Sequence, residues 1–510
     1  MNDTICAIST PAGIGGIAVI RVSGPAAIDA CSFIFKPLRA AHDLKGRATH
    51  TLTFGQIVRP SAALKAGEAA LHGEDLKGDG EVIDEVVIAL YRAPHSFTGE
   101  DVVEISCHGS LYIQEQILQL LTTLPRCENT SSIYPALDTP APNVHTPNAQ
   151  TSSTPLVRLA EHGEFTRRAF ASGRFDLAQA EAVADLISAQ SAAAHRLAMQ
   201  QMKGSVSQKL ASLHDQLLQL TALLELELDF SEEDVEFADR THLITLANEI
   251  DAEVMRLANT FQRGQAIKNG IPVAIIGAPN VGKSTLLNAL LKEDRAIVSD
   301  IQGTTRDLIE DTITLGGFLF RFIDTAGLRH TDDTIEQLGI ERSHQAVQRA
   351  QIILLMTEPG IDYPQIDKRD DQHIIYILNK VDKEECESLA PTSQPIGNAP
   401  DLQSGGTSPL RIAAKNNTGI ADLEAALIDC VKTDDTQQSV ILTNARHYEA
   451  LITAHEALSR VVAGLNSGLS NEFVDMDLKE VISAMNQILG REITSQDTLN
   501  SIFSSFCIGK

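Results

Sequence analysis

Apolar residues repeat along the chain with two different periods, and the change of period divides the sequence into regions. Strand-like alternation occurs at residues 3–24, where two short strands flank a Pro-Gly turn, at 81–90 and again from 102. Residues 113–124 have helical periodicity. The pattern therefore predicts an N-terminal α+β domain at residues 1–172.

Helical periodicity dominates two further stretches, which are rich in Ala, Leu, Gln and Glu. The runs with this pattern span 176–228, 242–261, 445–465 and 476–489. The first run suggests long helices interrupted at Gly204. We predict a discontinuous all-α domain at 173–268 and 437–510, with residues 269–436 inserted between its two parts.

The inserted segment opens with a phosphate-binding pattern. The apolar run 273–276 precedes GAPNVGKST at 277–285, and a run of helical composition follows. Strand, glycine loop and helix is the context that such a loop requires, because its N–H groups and the helix N-terminus attract phosphate. Lys283 can reach the β and γ phosphates, and the Ser284 hydroxyl can bind Mg²⁺. The contacts predicted in this loop are Asn280, Val281, Gly282, Lys283, Ser284 and Thr285.

Two further polar motifs complete a phosphate and metal site. DTAG at 324–327 follows the alternating run 320–323. Asp324 can hold Mg²⁺ through water, and the Gly327 N–H can bond the γ phosphate. Between the motifs, Thr304 or Thr305 can complete the Mg²⁺ shell.

A base-recognition motif selects guanine. NKVD at 379–382 follows the apolar run 374–378. Asp382 suits the two donors of guanine, which adenine lacks, so the motif favours GTP and opposes an ATP-driven enzyme. A second base loop is predicted at Ala413-Ala414-Lys415, where Ala413 replaces a common Ser. Together the motifs predict a Ras-like P-loop GTPase domain within an α/β multidomain chain.

Composition narrows the environment and the partners. The chain has 510 residues, a net charge of −26, no Trp and seven scattered Cys without a CxxC pair. These features favour a reducing cytoplasm and oppose disulfides, structural zinc and broad nucleic-acid binding. No apolar run reaches the roughly 20 residues of a membrane span, and no signal peptide is evident. Polar insertions are predicted at 60–80, 128–155 and 384–408, with 128–155 disordered.

Three candidates in the N-terminal part have both a structural and a functional interpretation. Arg21 interrupts an apolar strand, either as a solvent-facing arginine on an edge strand or as an anion-binding group. Glu104 shares a strand face with Val102 and Ser106 and is either solvated or functional. His108 is typical of a turn histidine rather than a metal ligand.

The C-terminus reads IFSSFCIGK, which is either a frayed tail or a docked one. Phe503, Phe506 and Ile508 are apolar enough to dock. Docking would deliver Cys507 and Lys510 to a fixed place.

Several motifs in one order resemble the family of tRNA-modification GTPases called MnmE or TrmE. These are TPxGxGG…RxSG at 10–24, SFTGED at 96–101, GEFTRRAF at 163–170, LAQAEA at 177–182, the GTPase motifs and FCIGK at 506–510. The resemblance covers nearly the whole chain except the three insertions.

The resemblance implies a homodimeric N-terminal domain that binds 5-formyl- or 5,10-methylene-tetrahydrofolate through Arg21, Glu104, Arg174 and Lys510. Arg174 stands where the family usually has Lys, which keeps the charge but changes the geometry. Cys507 is a candidate catalytic thiol. With the MnmG (GidA) flavoprotein, in a heterotetramer, the chain would add a carboxymethylaminomethyl or aminomethyl group at C5 of the wobble uridine of certain tRNAs.

The hydrolytic mechanism must differ from that of Ras. Leu328 stands where Ras-like proteins have a water-orienting Gln. By resemblance, Glu336 is the catalytic carboxylate, although a solvated helix-start carboxylate is the alternative. A potassium ion would supply the missing positive charge when two GTPase domains meet. The resemblance assigns K⁺ to Asn280, Ser299, Ile301 and Thr304, and Mg²⁺ to Ser284 and Thr305. The GTP contacts expected outside the phosphate loop are Ser299, Asp300, Ile301, Gln302, Gly303, Thr304, Thr305, Asp324, Thr325, Ala326, Gly327, Asn379, Lys380, Asp382, Ala413, Ala414 and Lys415.

A ribosome-assembly or signalling switch would share the GTPase motifs. Such a switch does not account for the N-terminal motifs or for the Cys507 tail. Folate binding by the isolated protein distinguishes the two hypotheses.

Overall fold

The computed structural model describes residues 3–38, 44–59, 80–124, 156–229, 240–293, 311–323, 344–383, 408–432, 440–491, 496–504 and 506–509. Apart from Gly80 and Ser408, the predicted insertions lie outside these residues. Contacts divide the chain into two compact units, one of Met1–Glu181 with Leu489–Lys510 and the other of Ala182–Ile488. No helix in the described part of the chain is both long and apolar enough to cross a lipid bilayer.

The first unit is built on a seven-stranded sheet. Its strands are β1 Thr4–Ile8, β2 Gly15–Ser23, β3 Phe35–Pro37, β4 Thr51–Arg59, β5 Glu81–Tyr91, β6 Val102–Gly109 and β7 Val157–Leu159. They lie in the order β3-β4-β5-β6-β2-β1-β7, antiparallel except for the pair of β1 and β7. The two strands predicted around the Pro-Gly turn are confirmed, as is the helix predicted at 113–124, which spans Leu111–Thr122.

Helices cover parts of both faces of this sheet. The helices of the unit include Ala27–Ile34, Leu111–Thr122, Glu164–Ala171 and Gln496–Ser504. Alternate residues of β2, β5 and β6 pack with the first two helices into one apolar core. Phe165, from the third helix, packs on the opposite face against Ile5 and Ala7. Period-two alternation thus separates a buried face from the face that carries Arg21 and Glu104.

The second unit contains a six-stranded sheet. Its strands are β8 Ile271–Gly277, β9 Asp311–Leu315, β10 Phe318–Phe322, β11 Ile352–Thr357, β12 His373–Leu378 and β13 Leu410–Arg411. The order is β13-β12-β11-β8-β10-β9, and every neighbouring pair is parallel except β10 with β9. The ends of β8, β11 and β12 therefore meet at one edge, where α/β sheets bind ligands. The continuous apolar run of β11, which lies at the centre of the sheet, was not singled out from the sequence.

Several helices of the described residues between 177 and 489 surround or extend this sheet. They are Leu177–Ser188, Ala192–Met202, Ser205–Asp229, Arg240–Ala258, Phe261–Asn269, Lys283–Glu293, Ile420–Lys432, Ala445–Ser467 and Asn471–Leu489. The predicted 176–228 run is three helices, so the interruption at Gly204 is confirmed and a second break precedes Ala192. Ser191 causes the unforeseen break, because its hydroxyl accepts from the Ala194 N–H at 3.1 Å and caps a new helix.

Two other predicted helix bounds were wrong. The 242–261 run is a helix from Arg240 to Ala258 followed by a separate helix that begins at Phe261. The last long helix begins at Asn471, five residues before the predicted start at 476. Its first turn, 471–474, contains Phe473 and Val474, which extend the apolar pattern towards the N-terminus.

Candidate functional site

The phosphate loop has the backbone shape that its sequence predicts. β8 ends at Gly277, and the helix Lys283–Glu293 begins six residues later. Asn280 and Gly282 both have positive φ angles, +62° and +104°. A Cβ on Gly282 would lie 2.4 Å from the Asn379 side-chain nitrogen, so only glycine fits there. The loop therefore curls tightly at the positive end of the helix.

Lys283 lies folded against the carbonyls of its own loop. Its Nζ donates to the Gly277 and Ala278 oxygens at 2.8 and 2.9 Å. Burial lowers the pKa of Lys283 from its usual value. A partly desolvated ammonium held by neutral carbonyls gains most from an anionic ligand, so the loop fits a polyphosphate.

Asn379 connects the phosphate loop with the base loop. Its side-chain nitrogen donates to the Val281 oxygen at 2.8 Å, and its side-chain oxygen accepts from the Ala414 N–H at 3.1 Å. The residue follows β12 and is 3 % exposed. The predicted contact of Asn379 with the nucleotide stays a prediction, and the structure adds that this buried residue ties two loops together.

The other base-side residues lie around Asn379. Asp382 accepts from the Asn416 side-chain nitrogen at 3.2 Å, which orients its carboxylate. Lys380 has a positive φ of +63°, forms an ion pair with Glu358 and donates to the Asn280 oxygen at 2.7 Å. Ala413 and Ala414 are buried just after β13, and Lys415 follows them. The structure thus brings the described members of three predicted motifs to one sheet edge.

Several predicted nucleotide and metal residues lie outside the described residues. These are Ser299, Asp300, Ile301, Gln302, Gly303, Thr304, Thr305, Asp324, Thr325, Ala326, Gly327, Leu328 and Glu336. Among the residues that are described, no group of three or more His, Cys, Asp or Glu side chains is placed to hold a metal. Ser284 lies in the first turn of the helix that follows the loop, and the exposed Asn280 lies in the loop itself. A hydroxyl at that position fits a Mg²⁺ ion bound to phosphates.

Arg21 and Glu104 face each other on neighbouring strands of the other unit. They are directly paired in register between β2 and β6. The Arg21 Nε and Nη2 atoms lie 2.9 and 2.8 Å from Glu104 Oε1. Because β2 is an interior strand and Arg21 is 15 % exposed, the interpretation of Arg21 as a solvent-facing edge residue was wrong.

Aromatic rings line the region beside this ion pair. The Arg21 guanidinium lies 5.2 Å from the centre of the Phe97 ring and 5.6 Å from that of Phe165. The Arg174 guanidinium lies 5.9 Å from the centre of the same Phe97 ring and 5.6 Å from that of Phe175. Phe97 thus joins two predicted folate residues, and sequence analysis had not assigned it a role. The sequence signal that could have identified Phe97 is its position inside the SFTGED motif.

A buried ion network fixes the helix that supports Arg21. Glu164 accepts from Arg158 at 2.6 Å and from Arg168 at 3.0 Å. Burial raises the pKa of Glu164, but hydrogen bonds from Arg158, the Glu161 N–H and Arg168 outweigh this and lower it to about 2. The ionised network therefore holds the helix Glu164–Ala171, and with it Phe165, on the sheet.

The C-terminal tail is docked within the same unit. Phe503 and Phe506 are buried, His162 Nδ1 lies 2.9 Å from the Phe506 oxygen, and Ser9 donates to the Gly509 oxygen at 3.1 Å. Docking by the two Phe side chains is confirmed. The expected docking of Ile508 is wrong, because its side chain is 51 % exposed and its backbone forms the bridge to His162.

The docked tail presents Cys507 at the surface, whereas three other cysteines are buried. Burial raises the pKa of Cys6 to about 12 and that of Cys107 to about 11, and it also raises the pKa of Cys31. Those thiols are inert at neutral pH. Lys510 lies outside the described residues.

His108 has a partner that sequence analysis did not predict. It lies in β6 rather than in a turn, and its Nδ1 atom is 2.7 Å from Asp84 Oδ1 on β5. Asp84 also accepts the His108 backbone N–H at 2.8 Å. The pairing across two strands fixes the orientation of the imidazole ring.

A glycine loop after the central strand of a mostly parallel sheet, closed by a base loop at the same edge, defines a P-loop nucleotide-binding protein. Two family models match the chain, "MnmE helical domain" over residues 177–507 and "GTP-binding protein TrmE N-terminus" over residues 4–174. The chain belongs to the tRNA modification GTPase MnmE family.

Curated relatives match the whole length of the chain. The tRNA modification GTPase MnmE of Parabacteroides distasonis is 48 % identical, with 100 % of both chains covered. Those of Bacteroides thetaiotaomicron and Porphyromonas gingivalis are 46 % and 45 % identical, with all of this chain and 100 % and 98 % of theirs covered.

Proposed function

We propose that the chain hydrolyses GTP and acts in tRNA modification. The observation that carries this proposal is the junction at Asn379, which joins a phosphate loop to a base loop that has a guanine-type aspartate, Asp382. Similarity over the full length to proteins named for this activity supports it. Lys283 would bind the β and γ phosphates, and Asp382 would read the guanine ring.

The finer assignment is modification at C5 of the wobble uridine. We propose that a reduced folate supplies the one-carbon unit beside Arg21, Glu104, Arg174 and Lys510, and that the MnmG flavoprotein is the partner. The Arg21–Glu104 pair and the Phe97 ring support a site for a flat, polar ligand. Cys507 would contribute a thiol from the docked tail.

The domain organisation belongs to the same proposal. Residues 1–172 would form the dimerising domain, 173–268 with 437–510 the helical domain, and 269–436 the inserted GTPase domain. The helices Arg240–Ala258 and Ala445–Ser467 pack against each other although the six-stranded sheet lies between them in the chain. This packing supports an insertion that preserves the helical domain.

Hydrolysis would require the GTPase domains of two protomers to meet, and it would require two kinds of cation. Mg²⁺ supplies charge neutralisation at the phosphates when bound, with Ser284 and Thr305 as its protein ligands. K⁺ would lie against Asn280, Ser299, Ile301 and Thr304. Glu336 would orient the attacking water, the role that Leu328 cannot perform.

Hydrolysis rates in matched salts test the cation assignment. GTP turnover by the full-length chain is measured at equal ionic strength in KCl and in NaCl. We expect at least tenfold faster turnover in KCl, because a cation that replaces an arginine finger must fit its ligands. Equal rates in the two salts would remove potassium from the mechanism.

A substitution of Glu336 tests the catalytic carboxylate. Glu336→Ala should retain GTP affinity and lose most turnover, since a water-orienting group acts mainly in the transition state. Normal turnover by Glu336→Ala would exclude this residue from catalysis.

Mass spectrometry of wobble uridines tests the role in tRNA modification. Wobble uridines from cells that lack the gene should have lost the C5 group, and uridines that keep the C5 group would refute the tRNA role.

A further inference from the structure

A cavity opens next to the Arg21–Glu104 pair. Its volume is about 250 Å³, and its lining consists of His50, Tyr91, His95, Ser96, Phe97, Val102, Glu104 and Arg174. A second, outer cavity of about 360 Å³ shares three of these residues and is lined by His50, Pro94, His95 and Arg174. The two cavities form a path from a carboxylate at the inner end to exposed nitrogen-bearing side chains at the outer end.

The two cavities differ in their charged side chains, because Glu104, which is paired with Arg21, lines only the inner cavity and Arg174 lines both. Glu104 is the carboxylate of the inner cavity, and the lining of the outer cavity contains none. The nearest acidic residues of the same turn are engaged elsewhere, because Asp101 accepts the Ala93 N–H at 2.9 Å and Glu100 accepts from Arg168 at 3.1 Å. The outer end therefore attracts anions.

The two histidines at this end are held in place by the fold. His50 adopts a positive φ of +61°, which is uncommon for a residue with a side chain. Its N–H donates to the Leu90 oxygen at 2.7 Å, and its ring meets the Tyr91 ring edge-on at 5.4 Å. The backbone N–H of His95 donates to the Arg92 oxygen at 2.9 Å, which fixes the turn that carries the exposed His95 side chain.

We propose that His50 and His95, together with Arg174, form a subsite for the glutamate carboxylates of the folate, and that this subsite makes the chain prefer poly-γ-glutamylated folates. The inference rests on the proposed folate site. A reduced folate is donor-rich at its pteridine end, aromatic in the middle and anionic at its glutamate end. Glu104, Phe97 and the His50–His95–Arg174 rim follow the same order. Each added glutamate brings one more carboxylate to the rim.

Binding to the full-length chain tests the subsite. Equilibrium dialysis compares 5-formyl-tetrahydrofolate that has one glutamate with the same compound that has five γ-linked glutamates. We expect roughly tenfold tighter binding of the longer ligand, since charge-assisted hydrogen bonds are the strong ones. Equal affinities would overturn the subsite while leaving the folate role intact. No binding of either compound would overturn the folate role and the subsite with it.

A double substitution tests the residues. His50→Gln with His95→Gln should reduce the preference to below about twofold, because it should weaken binding of the pentaglutamate more than binding of the monoglutamate. The control is His242→Gln with His344→Gln, which removes two exposed histidines from other elements and should keep the preference. A preference that survives the first pair would refute the assignment. Loss of tRNA affinity with an unchanged preference would instead assign the rim to RNA phosphate and refute it too.

Discussion

At the residue scale, single buried polar groups determine the geometry of both candidate sites. Asn379 satisfies one carbonyl and one N–H on loops that are distant in the sequence. Glu164 does the same for two arginines and one N–H. A buried group with several partners is costly to truncate, because each abandoned partner stays desolvated.

Asn379→Ala should weaken binding of GTP and GDP alike. Both the Val281 carbonyl and the Ala414 N–H would lose their partner, at roughly 1–3 kcal/mol each. We expect at least a tenfold rise in both dissociation constants, measured by fluorescence titration with labelled nucleotides. Asn416→Ala, at an exposed neighbour, is the control and should change them less. Unchanged affinities for the Asn379 variant would show that the loops keep their shape without the bridge.

Glu164 makes the N-terminal unit sensitive to acid. Its pKa is about 2 in the folded chain and its ordinary value is 4.5, so its stabilising effect is full above pH 4.5 and is lost as the pH falls towards 2. Glu164→Gln should lower the free energy of unfolding at pH 7 by about 3 kcal/mol. It should also flatten the fall of stability across that window.

Urea unfolding at a series of pH values measures both effects, and Glu161→Gln is the control. Glu161 is exposed, so its substitution should leave the pH dependence unchanged. A Glu164→Gln curve parallel to the wild-type curve would contradict the assignment.

At the element scale, close approaches between backbones fix how the helices of the second unit pack. Residues 440–443 cross the helix Phe261–Asn269, and Gln265 donates to the Thr443 oxygen at 2.6 Å. The turn between β9 and β10 is bonded in the same way, because the Ala193 N–H donates to the Gly317 oxygen at 2.9 Å. This bond connects the β9–β10 hairpin to the helix Ala192–Met202.

Gly264→Ala should destabilise the second unit although alanine favours helices. A Cβ at position 264 would lie 1.8 Å from the Leu442 oxygen, which forces the crossing segment away. We expect a loss of about 3 kcal/mol in urea unfolding, the upper range for overpacking.

Gly464→Ala is the matched control, because its Cβ would meet side-chain atoms alone, with Val474 Cγ2 the nearest at 3.2 Å and Leu469 Cδ2 next at 3.5 Å. That variant should change stability by less than about 1 kcal/mol. Equal stability of the two variants would show that residues 440–443 can move away from the new Cβ at little cost in free energy.

Local signals explain which elements the sequence predicted. The phosphate loop, the strand before it and the helix after it are one continuous stretch, and all three were found. The Arg21–Glu104 pair depends on a register that joins residues 83 apart, so no local pattern revealed it. The cap at Ser191 was missed because a single serine in a helical run has no periodic signature. His50 was missed because a positive φ is visible only in the backbone.

At the scale of the whole molecule, the tail is part of the N-terminal unit. The Phe503 and Phe506 rings lie 5.3 Å apart and are buried, and a Cβ on Gly163 would lie within 2.9 Å of both residues. The tail therefore fills a space that only glycine leaves open.

Phe506→Ala should release the tail. Removing a buried phenyl ring costs about 3 kcal/mol or more, which is enough to populate an undocked tail. Carboxypeptidase digestion followed by intact-mass measurement should show at least tenfold faster loss of the last residues. Phe506→Leu is the conservative control and should remain close to wild type. Equal digestion of the alanine variant would show that His162 and Ser9 hold the tail by themselves.

The hydrogen bond between Ser9 and Gly509 joins residues 500 positions apart, so its two partners are synthesised at very different times. His162 leaves the ribosome 344 residues before Phe506 does, an interval of about 20–70 s at ordinary elongation rates. During that time Phe503 and Phe506 are not yet available to pack at Gly163. A nascent chain that terminates early never contains them. The surface around Gly163 would thus be finished only after the tail has been synthesised, so products truncated before Phe506 would lack it.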